Sequence, residues 1–133
     1  MIADRKYAAE YLTNVRRVEI TLLGAISESL GLERDYIEKK LGGHYASLNY
    51  YGACEQSDLE LTYGVRAHTD PTIITILLQD DVPGLQVLSE DKWMDVNPIP
   101  GTVVVHVGDL LQVIIYIFSY IYSTLKLGFL NCY

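Results

Sequence analysis

The first forty residues place apolar side chains at intervals of three and four, which is the period of an α-helix. Gly31 directly follows this stripe and suits the left-handed conformation that ends many helices. A second, shorter helix is predicted from about Glu33 to Leu41, where Gly42 and Gly43 end it. We expect both helices to cover a sheet. The stripe of the first helix consists of Tyr11, Val15, Val18, Leu22, Ile26 and Leu30.

From His44 onward the period of the apolar positions falls towards two, the period of a β-strand. We predict a strand over residues 45–51 and a loop over residues 52–60. Four more short strands are predicted at 72–79, 85–88, 92–96 and 102–107, separated by Pro and Gly residues. Many short strands at this spacing are typical of a β-sandwich or jelly roll. With no internal repeat or linker, the chain is expected to form one domain.

Composition and charge narrow the class of protein. Half of the 133 residues are hydrophobic and 20% are charged, which is a globular composition. The formal net charge of −7 argues against a nucleic-acid partner, since phosphate binding requires clustered Lys and Arg. Cys54 and Cys132 are too few for a disulfide framework. The charged N-terminus lacks the apolar core of a signal peptide, so a reducing, cytoplasmic location is expected.

The candidate chemistry lies in the segment before the 72–79 strand. Side chains two residues apart in an extended segment share a face, so His68 and Asp70 can converge on one object. An imidazole and a carboxylate are two of the three ligands in the facial triad that holds non-haem Fe(II). Taken alone, this pair is also typical of a surface turn with a salt-linked histidine. His106, in the 102–107 strand, is a candidate third ligand in a cupin-like metal site.

The order of several short motifs resembles the plant 2-oxoglutarate- and Fe(II)-dependent dioxygenases. Within that family the chain is most similar to the flavanone 3-hydroxylase, flavone synthase and downy-mildew-resistance oxygenase group. The resemblance covers roughly residues 1–113 and implies a mainly β fold with N-terminal helices, namely a double-stranded β-helix (jelly roll). The motifs that carry it are Asn49-Tyr50-Tyr51, Leu61-Thr62-Tyr63-Gly64, His68-Thr69-Asp70-Pro71, Leu77-Leu78-Gln79-Asp80, Gly84-Leu85-Gln86-Val87, Trp93-Met94-Asp95-Val96-Asn97-Pro98 and Gly108-Asp109-Leu110-Leu111-Gln112.

The resemblance also implies a set of site residues and cofactors. His68 and Asp70 correspond to the first two iron ligands, and Tyr51 and Asn49 to positions that contact 2-oxoglutarate. Fe(II) is then the metal, 2-oxoglutarate the co-substrate and ascorbate the reductant. The implied reaction is hydroxylation or desaturation of a small phenolic or flavonoid-type plant metabolite, with the oxidative chemistry supplied by the metal and the co-substrate.

Two departures from the family pattern change these expectations. Gly52 and Ala53 replace a Pro-Pro pair, which should loosen that loop. Residues 114–133 match no family motif: Thr124 stands where the second histidine ligand is expected, and the family's Arg-x-Ser would lie beyond Tyr133. We therefore divide the domain into helices (1–43), jelly-roll strands (44–113) and a tail (114–133), with the jelly roll incomplete at its C-terminus.

The tail is rich in Ile and Tyr, which favours a β-strand, and its apolar run is too short to span a membrane. An incomplete jelly roll leaves strand edges unpaired, so self-association is expected. Two functions follow from the sequence. The first is a 2-oxoglutarate/Fe(II) dioxygenase by ancestry, inactive in this chain for lack of the second His and the Arg. The second is a non-catalytic fragment that binds or interferes with a partner.

Overall fold

In the computed structural model, residues 2–41, 43–52 and 64–121 are described. The chain divides into two units, Met1–Gly52 and Ala53–Tyr133. The first unit contains two helices, α1 (Ile2–Ser29) and α2 (Tyr36–Leu41). Both predicted helices are therefore confirmed, although α2 begins three residues later than expected.

Gly31, which the sequence predicted as the residue that ends the first helix, fixes the end of α1. Gly31 has φ +72°, in the left-handed region. The Leu32 amide donates to the Ser27 carbonyl oxygen at 3.0 Å, and the Gly31 amide donates to that of Glu28 at 3.0 Å. This pair of hydrogen bonds is the Schellman motif, which satisfies carbonyl groups that the helix end leaves free.

A small buried cluster joins the two helices. Leu23, Ser27 and Ile37 are at most 2% exposed. The Ser27 hydroxyl donates to the Leu23 carbonyl oxygen at 2.8 Å and accepts from the Ile37 amide at 3.3 Å. A buried hydroxyl left without partners would cost about 1–3 kcal/mol, so these two hydrogen bonds make the serine compatible with this core. Arg16 adds an ion pair with Glu38 between α1 and α2.

The strand predicted over residues 45–51 is wrong, because residues 43–52 contain neither helix nor strand. Leu48 and Tyr50 are 90% and 93% exposed. A strand is stabilised by hydrogen bonds to a neighbour, and within the described part of the chain no strand pairs with this segment. The predicted loop at 52–60 lies almost entirely outside the described residues.

The other four predicted strands are confirmed, each in a four-residue form. They are β1 (Ile74–Leu77), β2 (Gln86–Ser89), β3 (Lys92–Asp95) and β4 (Val104–Val107). β2 and β3 form a hairpin whose two turn residues, Glu90 and Asp91, have φ of 48° and 61°. Positive φ at both positions is the signature of a type I′ turn, whose twist matches that of the flanking strands.

β1 pairs with β4 in an antiparallel arrangement, although β2 and β3 intervene in the sequence. The register places Ile74 opposite Val107 and Thr75 opposite His106. This pairing brings the segment before β1 next to the segment after β4. The candidate site lies where these two segments meet.

The β-strand predicted for the tail is also wrong, at least as far as residue 121. Asp109–Ile121 is a helix, α3. An acidic residue in the first turn suits the positive end of a helix, and Leu111 in that turn is fully buried. Burial and the helix start thus outweigh the β propensity of the Ile and Tyr residues that follow. Residues 122–133, including Thr124, lie outside the described part.

None of the helices in the described segments is long and apolar enough to cross a membrane.

Candidate metal centre

The backbone around His68 and Asp70 is held by the segment that joins β4 to α3. Three consecutive amides of that segment donate to carbonyl oxygens near the start of β1. The Asp109 amide donates to Asp70 at 2.8 Å, and the Gly108 amide to Ile73 at 3.0 Å. The Leu110 amide donates to Thr72 at 3.2 Å. These bonds fix the main chain on the C-terminal side of the His-x-Asp sequence.

Gly108 allows the two segments to come this close. A β-carbon added at Gly108 would lie 2.1 Å from the Thr72 carbonyl oxygen and 2.8 Å from that of Asp70. Both neighbours are backbone atoms, which cannot move aside as a flexible side chain can. The contact therefore requires glycine because of space rather than backbone conformation.

A side-chain hydrogen bond reinforces this contact. The Thr69 hydroxyl donates to Oδ2 of Asp109 at 2.7 Å. Thr69 lies between His68 and Asp70, and adjacent side chains of an extended segment point to opposite faces. The hydrogen bond therefore joins the residue between the two candidate ligands to the first residue of α3.

The imidazole of His68 is oriented by its own backbone neighbourhood. Its Nδ1 lies 2.8 Å from the Arg66 carbonyl oxygen. A carbonyl oxygen can only accept a hydrogen bond, so Nδ1 carries the proton and Nε2 keeps its lone pair when the ring is neutral. Metal-bound histidines in proteins usually have this arrangement, with the second ring nitrogen donating to a carbonyl or carboxylate.

Nε2 of His68 and Oδ1 of Asp70 are 3.4 Å apart. Two ligand atoms about 2.1 Å from a metal and at right angles to each other are separated by about 3 Å. The pair thus needs only a small side-chain adjustment to share one ion. His68 is 59% exposed and Asp70 26% exposed, so the space beside them is open to a ligand. The chemistry and spacing of this pair fit iron(II).

His106 does not complete this pair. It lies in β4 opposite Thr75, and its Nε2 is buried without a hydrogen-bond partner among the described residues. Within residues 2–41, 43–52 and 64–121, no group of three or more His, Cys, Asp or Glu side chains is placed to hold a metal. The structure therefore gives no support to the cupin-like site of His68, Asp70 and His106.

Asn49 and Tyr51 belong to the first unit, in the exposed segment without regular structure. Asn49 Oδ1 accepts a hydrogen bond from the Ser47 hydroxyl at 3.0 Å, and Tyr51 is 57% exposed. The structure brings together His68 and Asp70, in the second unit. The contact of Asn49 and Tyr51 with 2-oxoglutarate stays a prediction.

Sequence reasoning missed the contribution of Thr69, Gly108 and Asp109. The Gly-Asp pair was recognised only as part of a motif, with no role attached to it. The available signal was a glycine followed by an acidic residue at the end of a β-strand, which is typical of a close backbone approach and a helix start. Sequence alone did not connect this signal to residues some forty positions earlier.

Comparison with known proteins now defines the class of protein. The family model of the 2OG-Fe(II) oxygenase superfamily matches residues 43–116. The chain belongs to this superfamily, whose members are oxygenases that use iron(II) and 2-oxoglutarate, as the motifs predicted.

Several plant proteins are similar to the chain. It is 54% identical over 115 residues to Protein DMR6-LIKE OXYGENASE 1 of Arabidopsis thaliana, covering 85% of the chain and 32% of that protein. It is 52% identical over 105 residues to Flavanone 3-dioxygenase 2 of Oryza sativa subsp. japonica, covering 77% and 30%. The chain spans about a third of the length of these curated relatives.

A solved structure supports the fold. The crystal structure of JOX2 in complex with 2OG, Fe, and JA matches the chain with a TM-score of 0.69 and 34% sequence identity. The match covers 81% of this chain and 33% of that chain. The helices and small antiparallel sheets described above are consistent with the jelly-roll fold of such oxygenases.

Proposed function

We propose that this chain carries the iron-binding part of a 2-oxoglutarate-dependent dioxygenase that hydroxylates or desaturates a small phenolic, flavonoid-type molecule. The observation that supports it best is the His68–Asp70 pair, with Nε2 and Oδ1 3.4 Å apart and the Arg66 carbonyl oxygen holding the imidazole proton on Nδ1. A neutral imidazole and a carboxylate are the protein ligands expected for non-haem iron(II).

His68 and Asp70 would hold the metal, and Tyr51 and Asn49 would contact 2-oxoglutarate. When bound, iron(II) and 2-oxoglutarate supply oxygen activation, in which 2-oxoglutarate is oxidised to succinate and CO2 as the substrate is oxidised. The chain's own residues orient these groups. Ascorbate is the proposed reductant that keeps the iron in its ferrous state.

The relatives support the substrate class. Among them are Flavanone 3-dioxygenase 2 of rice and, at 46% identity over 109 residues, Flavonol synthase/flavanone 3-hydroxylase of Arabidopsis thaliana. The JOX2 complex likewise contains a third component, JA, besides 2OG and Fe. A small-molecule substrate is therefore proposed. The net charge of −7 favours such a partner over a nucleic acid, and a cytoplasmic location is proposed with it.

The proposed co-substrate site is tested by titrating 2-oxoglutarate into the Mn(II)-loaded chain in a calorimeter. We expect binding that needs the metal and weakens in Tyr51→Phe and Asn49→Ala. Tyr45→Phe is the matched control, because Tyr45 is 79% exposed in the same irregular segment. Equal affinities for Tyr51→Phe, Asn49→Ala and the wild type would contradict the roles given to Tyr51 and Asn49.

A second proposal is a non-catalytic partner, because Thr124 stands where the resemblance expects the second histidine. In this proposal the jelly roll is incomplete and the chain acts by associating with an intact relative. Mixing the chain with an active relative separates the two proposals. Metal-dependent 2-oxoglutarate binding by the chain that is lost in His68→Ala supports the first, whereas inhibition of the relative without such binding supports the second.

A further inference from the structure

We propose that Asp109 and Thr69 are positioning residues for metal binding: their hydrogen bond holds the backbone between His68 and Asp70, and we call this hydrogen bond the lock. This inference rests on the proposed metal site and assigns a role to residues that do not touch the ion. The side chains involved are joined by one bond, from the Thr69 hydroxyl to Asp109 Oδ2 at 2.7 Å.

Thr69 occupies a position in the chain from which it affects both candidate ligands. It is the only residue between His68 and Asp70, so any rotation of its backbone moves both candidate ligands. The segment belongs to no helix or strand and lacks regular ladder hydrogen bonds of its own. Its conformation must therefore be set by side-chain and loop hydrogen bonds, and the Thr69–Asp109 bond is the one at its centre.

Asp109, which accepts the hydrogen bond from Thr69, is itself held firmly in place. Asp109 begins α3, and Leu111 in the same turn is fully buried. The Asp109 amide also donates to the Asp70 carbonyl oxygen at 2.8 Å. Asp109 thus contacts residues 69 and 70 with its carboxylate and its backbone, and it does so from a helix end that is anchored in the core.

The hydrogen bond between Thr69 and Asp109 should raise the affinity of the site for a metal ion. A ligand pair held at the right spacing loses less conformational freedom when the ion binds, so its affinity is higher than that of a mobile pair. Outer-shell hydrogen bonds of metal sites typically change affinity by about 10- to 100-fold. The hydrogen bond between Thr69 and Asp109 is expected to preserve the 3.4 Å spacing between Nε2 of His68 and Oδ1 of Asp70.

The test uses the full chain and two measurements. Amide hydrogen exchange in the metal-free protein reports whether the amides of Gly108, Asp109 and Leu110 are still held. Mn(II) titration reports whether the ligand pair is still positioned. In Thr69→Val and Asp109→Ala we expect exchange of these amides to rise roughly fivefold. We expect Mn(II) affinity to fall about 10-fold.

Conservative variants separate positioning from general stability. Thr69→Ser keeps the hydroxyl and Asp109→Asn keeps an acceptor oxygen, so both should stay within about threefold of wild-type affinity. The double variant Thr69→Val/Asp109→Ala should be no weaker than Asp109→Ala alone, because both changes remove the same bond.

Two matched controls lie away from the site. Thr102→Val removes a hydroxyl that donates to the Ile99 carbonyl oxygen at 2.9 Å. Asp95→Ala removes a carboxylate that accepts from Gln86 at 2.8 Å, with the same loss of negative charge as Asp109→Ala. Neither should change Mn(II) affinity or the exchange of amides 108–110.

Three outcomes would contradict the role given to Thr69 and Asp109. If the exchange of amides 108–110 is unchanged in Thr69→Val, the hydrogen bond between Thr69 and Asp109 does not hold this segment, and the inference is wrong. Faster exchange with unchanged Mn(II) affinity overturns the positioning role, provided that Mn(II) binding is lost in His68→Ala. If the wild type and His68→Ala bind Mn(II) equally well, the proposed metal site is wrong, and so is the positioning role. In that case the exchange data still show whether the hydrogen bond between Thr69 and Asp109 holds the segment.

Discussion

Nε2 of His68 faces Oδ1 of Asp70 across 3.4 Å, although both residues lie in a segment with no regular secondary structure. The geometry comes from hydrogen bonds at the edges of the segment. The Arg66 carbonyl oxygen orients the imidazole, and the turn from β4 into α3 holds the backbone of Asp70. A ligand pair of this kind is sensitive to both its own side chains and its support.

Removal of either candidate ligand, His68 or Asp70, should strongly weaken metal binding. We expect the chain to bind Fe(II) or Mn(II) weakly and to lose the ion readily to chelators, because the described residues offer two candidate protein ligands for it, His68 and Asp70. His68→Ala and Asp70→Ala should each reduce affinity by more than about 10-fold, measured by anaerobic titration calorimetry. His44→Ala is the control, since His44 is exposed in the first unit. Indistinguishable isotherms for His68→Ala and wild type would disprove this prediction.

A side chain at position 108 should destabilise the second unit. The β-carbon of Gly108→Ala would lie 2.1 Å from the Thr72 carbonyl oxygen, so the backbone before β1 and the backbone at position 108 must move apart. Overpacking of this kind costs about 1–3 kcal/mol in the free energy of unfolding, which urea denaturation measures. Gly84→Ala is the matched control, because nothing lies within 4 Å of the added carbon there. Equal denaturation midpoints for the two variants would contradict the prediction.

The strands should promote self-association. Among the described residues each strand pairs with one other strand, and β4 carries Val105, which is 41% exposed. Unpaired edges with apolar residues are templates for further strand pairing, and a lysine on the edge opposes it. We expect light scattering to show concentration-dependent association that Val105→Lys reduces. Val82→Lys, in a 72% exposed loop position, adds the same charge as a control. A monomer at every concentration would rule out this association.

The 133-residue polypeptide alone should release no succinate with Fe(II), 2-oxoglutarate and ascorbate. Two ligands do not fix the metal in the orientation that oxidation requires, and misplacement by about 1 Å can cost 100-fold in rate. Replacing residues 115–133 with a family-type ending, bearing a histidine and Arg-x-Ser, should restore 2-oxoglutarate decarboxylation. Succinate release by the unmodified chain that disappears in Asp70→Ala would show that the tail supplies what is needed.

The sequence predicted elements whose stability is local. Gly31 ended the first helix as expected, and the turn of the β2–β3 hairpin connects strands close in sequence. The predictions failed where distant partners decide the outcome. Residues 45–51 have strand-like alternation, but no described strand pairs with them. Residues 113–121 have β propensity, but they continue a helix whose start is set by Asp109 and the buried Leu111.

The same distinction applies to the candidate site. The pairing of His68 with Asp70 follows from their spacing of two in an extended segment, so it was predictable. The support from Thr69, Gly108 and Asp109 depends on β1 lying beside β4, which periodicity alone does not indicate. The family resemblance indicated the candidate ligands, whereas the structure shows which residues hold their backbone.

The hydrogen bond between Thr69 and Asp109 spans 40 residues of chain, and this separation has a consequence for folding. Contacts that close long loops form later than local ones, because the entropy of loop closure opposes them. The β2–β3 hairpin can form as soon as its two strands are available, within about 10 μs. The support of the ligand pair must wait until residue 109 has been synthesised and has left the ribosome. At the proposed metal site, iron loading should therefore be a late event in biosynthesis, after β4 has docked against β1.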